Sequence, residues 1–125
     1  MTNDEILNEM IAICQKKEAA TLTGDYRTNN KEGKKAIKYF KLFEKDSALA
    51  AAILPKLMNS DNVVAKTDAA AWCLSLGIDE ELAQSTLKEI LKSQDNIFGF
   101  NAEMVLKEYE RKGYLLMYQG QQLCK

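Results

Sequence analysis

The 125-residue chain contains no histidine. That absence removes the commonest general base and the commonest metal ligand together. A Ser–His or Cys–His nucleophile pair is excluded, as is a histidine-containing zinc site. One proline and six glycines supply little of the turn punctuation an all-β fold needs. No apolar run approaches the ~20 residues that span a bilayer. The opening Met1-Thr2-Asn3-Asp4-Glu5 is acidic and lacks the basic start of a secretory signal. Cys14, Cys73 and Cys124 are odd in number and widely spaced, unlike a disulfide framework. Cys14 and Cys73 lie among apolar residues at helical spacing and read as buried core thiols, with Cys124 near the end of the chain exposed. These features lead to the expectation of a cytoplasmic protein with neither membrane span nor cofactor.

What the chain does have is helical periodicity. Apolar Ile6, Leu7, Met10, Ile13 and Cys14 predict a first helix over 4–22, capped by Thr2, Asn3 or Asp4 and stopped at Gly24. Asp25 predicts the cap of a second helix to about residue 44, with Ala36, Ile37, Phe40 and Phe43 inward and Gly33 loosening its first turns. A third, over 47–58 behind Asp46, turns Leu49, Ala52, Ile53 and Leu57 inward, with a kink or short break at Pro55. After a turn at Ser60-Asp61-Asn62, a fourth covers 63–76 with Ala65, Ala69, Trp72, Cys73 and Leu76 on one face, ending at Gly77.

Asp79 predicts the cap of a fifth helix to about residue 93, striped by Leu82, Thr86, Leu87, Ile90 and Leu91. Residues 95–100 read as a loop with buried aromatics. Asn101 then caps a sixth helix over 102–112, through Ala102, Val105, Leu106 and Tyr109, that stops at Gly113. The tail from Tyr114 to Lys125 reads equally as strand, helical turn or extended segment. Six helices with short connections predict a single all-α domain over 1–125, with neighbouring helices antiparallel. At about 40 residues per helix pair the spacing suits three HEAT-type units, with a compact non-repeating bundle as the rival arrangement.

The stretch Asp61-Asn62-Val63-Val64-Ala65-Lys66-Thr67-Asp68-Ala69-Ala70-Ala71 resembles a HEAT-type turn and second helix. Together with Gly24-Asp25-Tyr26-Arg27 and the run from Phe98-Gly99-Phe100-Asn101-Ala102 to Leu106-Lys107-Glu108-Tyr109, it is similar to a family of small bacterial HEAT-like (ARM-type α-α superhelix) proteins. That family ends in a Gly-Phe-x-Ala…Leu-Lys-Glu-Trp signature, and this chain carries Tyr109 where tryptophan is usual. The resemblance covers about residues 22–114. It implies an α-α superhelix, and some members look like immunity proteins, which neutralise a toxin domain.

Charge is uneven. Residues 25–45 hold seven basic side chains against three acidic, with Lys34, Lys38, Lys41 and Lys45 on one helical face. Such a row would suit a phosphate backbone, although most charge runs are solvated outer faces. Residues 61–96 carry seven acidic side chains against three basic. Asp79, Glu80 and Glu81 suit a helix start. Glu89, Asp95, Glu103, Glu108 and Glu110 are the candidate acidic contacts for a basic partner. Tyr26 and Arg27 are candidate anchors, because aromatic and arginine side chains dominate binding hot spots.

Adjacent Glu80 and Glu81 point to different sides of a helix, and no phosphate loop or Glu-x-x-His spacing occurs. A glycosylase-like enzyme would have to assemble its pocket from Trp72, Tyr39 and Asp68. The expectation is therefore a non-enzymatic protein-binding module, a monomer or weak dimer, most concretely an immunity protein against a toxin domain. A nucleic-acid-associated role through the second helix and a scaffold role are the alternatives.

Overall fold

The computed structural model describes residues 2–115. Six helices account for almost all of them, α1 (Asn3–Thr23), α2 (Tyr26–Lys45), α3 (Ser47–Met58), α4 (Val63–Leu76), α5 (Glu80–Ser93) and α6 (Ile97–Lys112), with no strand among the described residues. Connections of one to four residues force consecutive helices to be neighbours. The result is a stack of helical hairpins. Residues 116–125, which include most of the ambiguous tail and Cys124, lie outside the described residues.

Local chemistry sets the helix ends. Thr2 and Glu5 form a reciprocal capping box on α1. Asp25, Asp46 and Asn62 each accept a backbone N–H three residues on, which satisfies a donor the helix start leaves free. Gly24, Gly77 and Gly113 end α1, α4 and α6 with positive φ, a left-handed conformation that lacks a Cβ penalty only in glycine.

Packing revises several sequence expectations. α3 continues through Pro55 to Met58 without a break, and α2 is helical from Tyr26 despite Gly33. Pro55 sits in the second half of α3, where only one backbone hydrogen bond is given up. Ala52 is exposed and α3 instead buries Ala50, Ile53, Leu54, Leu57 and Met58. On α5, Leu82 is 47% exposed and Ala83 takes the core position. Asp79 precedes α5 in a left-handed conformation, and its side chain makes no capping hydrogen bond. α6 begins at Ile97, where Asn96 Oδ1 accepts from Phe98 and Gly99 N–H, so the expected loop is the first turn of a helix. Of its aromatics Phe98 is buried, but Phe100 is 58% exposed.

α4 is the hub. It packs on α1, α3, α5 and α6, and residues 69–74 are buried on every side. The run Ala69-Ala70-Ala71 lets those neighbours approach closely. Trp72, fully buried, reaches α2, meeting Phe40 edge-on at 5.4 Å and 60° and Phe43 at 5.8 Å. Cys14 and Cys73 are buried thiols, as their spacing predicts. Glu32 on α2 is buried too, its carboxylate 3.2 Å from Lys35 Nζ.

Candidate functional site

Because α4 sits beneath both α1 and α6, the ends of these helices frame a cleft of about 440 Å³. Val64, Thr67, Asp68 and Ala71 of α4 form its floor. Lys17 and Thr21 of α1 and Asn29 of α2 make one wall; Phe98, Asn101, Met104 and Val105 of α6 make the other. Lys17 Nζ donates to Asp68 Oδ2 at 2.7 Å, with the two side chains 18% and 24% exposed, so the floor carries both charges of a half-sheltered pair. Asn29 Nδ2 donates to Thr21 Oγ1 at 2.9 Å and ties α2 to α1 at the upper wall. Cys14, one turn before Lys17, is held up to about 12 by burial and then by the Asp68 carboxylate, with Lys17 pulling the other way.

The rim is apolar. Leu22 and Tyr26 stand exposed at the α1–α2 corner, beside Thr21 and one turn before Asn29. Ile97, Phe100 and Met104 form an exposed row along α6, spaced by three and four residues on one face. A concave, mixed-polarity centre within exposed aromatic and aliphatic side chains is the arrangement of a recognition surface.

The other sequence candidates are distributed. Arg27 is exposed on α2 next to Tyr26. Glu103 is tied to Lys107 Nζ at 3.8 Å, and Glu108 is held down to about 2 by hydrogen bonds from Arg111 and Lys112, each at 2.8 Å. Glu110 is exposed on α6, and Asp95 is exposed in the α5–α6 connection. Glu89 lines a different groove beside Lys66 and Lys92. Two of the acidic candidates, Glu103 and Glu108, are thus neutralised within their own helix, and Glu89 lies in a separate groove.

Trp72, Tyr39 and Asp68 are not brought into one pocket. Trp72 is core, and Asp68 is in the cleft. Tyr39 faces a separate hollow with Glu9, Lys35, Lys38 and Leu42, where burial and a hydrogen bond to Glu9 push its hydroxyl up to about 12. On the basic row of α2, Lys34, Lys38 and Lys45 are exposed and Lys41 is half-buried.

Sequence reasoning missed Lys17, Thr21, Asn29, Phe98, Asn101 and Met104 as site residues. For Lys17, Thr21, Asn29 and Asn101 the only local signal is polarity beside an apolar stripe, which any helix face shows, and Phe98 and Met104 read as ordinary apolar positions. Compared with known protein families, curated proteins and solved structures, the chain gives no match.

Proposed function

We propose that the chain is a protein-binding module that offers the cleft between α1, α4 and α6, with its apolar rim, to another protein. The observation that carries this reading is a formed concavity with large apolar side chains left in solvent on the helices that frame it: Met104 lines the cleft, Ile97 and Phe100 share its face of α6, and Leu22 and Tyr26 are exposed where α1 meets α2. Its most concrete form is an immunity protein that docks on a toxin domain and covers that domain's working cleft. Steric occlusion needs no catalytic group on this chain. Tyr26 and Phe100, as aromatic anchors on opposite sides, would carry much of the binding energy.

The test is titration against the product of the adjacent gene by calorimetry. The reading expects a 1:1 complex and loss of toxin activity on mixing. Tyr26→Ala and Phe100→Ala should each weaken binding by ~2 kcal/mol, roughly thirtyfold. An affinity indifferent to both substitutions would sink the cleft as the contact surface.

A second reading rests on the α2 row, where Lys34, Lys38 and Lys45 are exposed together. A salt-dependent gel shift abolished by Lys34→Glu with Lys38→Glu would support nucleic-acid association, and no shift at low salt would end it.

A further inference from the structure

Lys56, Lys66 and Lys92 are far apart in sequence and belong to three helices, α3, α4 and α5. The fold brings them to one groove. Two adjoining hollows of about 440 and 380 Å³ share Met58, Thr86 and Glu89 and run between the end of α3 and the length of α5. The groove opens away from the cleft: Val64 and Asp68 line the cleft, and Lys66 lies two residues from each, about 200° round the α4 axis.

Its lining is amphipathic and positively charged. Pro55 and Leu82 supply the accessible apolar surface above the buried Met58 and Ile90, and Leu82 is 47% exposed although it falls on the apolar stripe of α5. The Thr86 hydroxyl is already spent on the Leu82 carbonyl at 2.8 Å. Glu89 is the one carboxylate among the described lining residues, against three lysines. None of those lysines has an ion pair among the described residues, whereas Lys35, Lys107 and Lys112 are paired within their own helices. Lys56 and Lys92 occupy last turns, where the helix macrodipole welcomes a cation. Lys66 does not. It is the fourth residue of α4, at the positive end and half-buried, where a cation is disfavoured unless an anion faces it.

We infer that this groove receives an acidic, amphipathic segment of a partner protein. Carboxylates of the segment neutralise Lys56, Lys66 and Lys92, and its apolar side chains cover Pro55 and Leu82. Charge complementarity selects the occupant, because the apolar strip alone would accept any greasy segment and the lysines alone any polyanion. Since groove and cleft open on opposite sides of α4, occupation of one is independent of the other, and this inference stands or falls apart from the proposed function.

The experiment uses the full chain and a fluorescein-labelled peptide of glutamate and leucine, with leucines at helical spacing over about four turns, followed by anisotropy at low and raised ionic strength. Saturable 1:1 binding that weakens with salt is expected. Lys66→Glu with Lys92→Glu reduces affinity at least about tenfold, and the milder Lys66→Gln with Lys92→Gln gives an intermediate loss in a chain of unchanged circular dichroism. The same charge change placed on α2, Lys34→Glu with Lys38→Glu, leaves affinity within about twofold, as does Tyr26→Ala on the cleft rim. Absence of saturable binding at low ionic strength overturns the inference, and so does an equal loss from the α2 reversal. Tighter binding of a single-stranded oligonucleotide through the same lysines overturns it in favour of a nucleic-acid site.

Discussion

Lys17 Nζ and Asp68 Oδ2 lie 2.7 Å apart across 51 residues of sequence, joining α1 to α4 at the floor of the cleft. The contact is both a structural tie and part of the candidate site. Its side chains are less than a quarter exposed, so solvent screens the pair only partly.

Asp68→Ala leaves a half-sheltered ammonium without its partner. The expected loss of stability is roughly 1–3 kcal/mol, between the small value of an exposed pair and the larger cost of orphaning a buried charge. The double variant Lys17→Met with Asp68→Leu recovers most of that loss. Urea unfolding of the three chains measures this, and an unchanged midpoint for the single variant would refute it.

Gly99 and Gly33 respond to alanine with opposite signs. A Cβ at Gly99 would overlap the backbone carbonyl of Gln94, which folds over the first turn of α6. Gly99→Ala is expected to cost about 1–3 kcal/mol, because that backbone cannot rotate away like a side chain. A Cβ at Gly33 meets nothing within 4 Å. Gly33→Ala is expected to add about 0.5–1 kcal/mol, through helix propensity and a less flexible unfolded chain. Thermal melts of the two variants settle the signs.

Trp72, the sole tryptophan, reports on the α2–α4 contact. It is 0% exposed, so native fluorescence is expected to be blue-shifted and poorly quenched by iodide. Trp72→Ala is expected to cost about 3–5 kcal/mol through lost burial and the cavity left between Phe40 and Phe43. Retention of a cooperative melt at the original temperature would contradict this account of the core.

Alkali weakens the fold. Burial pushes Cys14 and Cys73 up to about 12 from 9.0, with Asp68 and Asp79 adding to it; burial and then Glu9 push Tyr39 up to about 12 from 10.0. In the unfolded chain these groups lose protons near their ordinary values, while the folded chain holds them. The unfolded state therefore binds fewer protons above about pH 9, and stability falls as pH rises from there toward 12. Below about pH 8 the three groups add no appreciable slope. At neutral pH iodoacetamide is expected to leave Cys14 and Cys73 unmodified in a Cys124→Ser chain until denaturant is added, as mass spectrometry would show.

Helix number and most helix ends were legible because both depend on near neighbours in sequence. Asp25, Asp46 and Asn62 bond a backbone N–H three residues on, and Gly24, Gly77 and Gly113 adopt a backbone that glycine alone reaches cheaply. The misreadings are positions where two helix faces compete. Ala52 and Leu82 fit apolar stripes, yet α3 and α5 are rotated so that Ala50 and Ala83 are buried instead. The start of α6 was hidden because Phe98-Gly99-Phe100 reads as a turn until Asn96 is seen to cap it. Tyr26, Glu103 and Glu108 were picked as contacts by residue type, without knowledge of their surroundings.

By itself the sequence determined an all-α chain with six amphipathic segments, buried thiols and no histidine chemistry. Periodicity, capping and composition are local properties that follow from the covalent chain. Tertiary structure alone decided that residues 69–74 of α4 are enclosed on every side, that Lys17 meets Asp68, and that a neutral cleft and a lysine-lined groove open on opposite faces of one helix. Those features depend on how six helices rotate and cross to fill space, a many-body packing result that no single segment encodes.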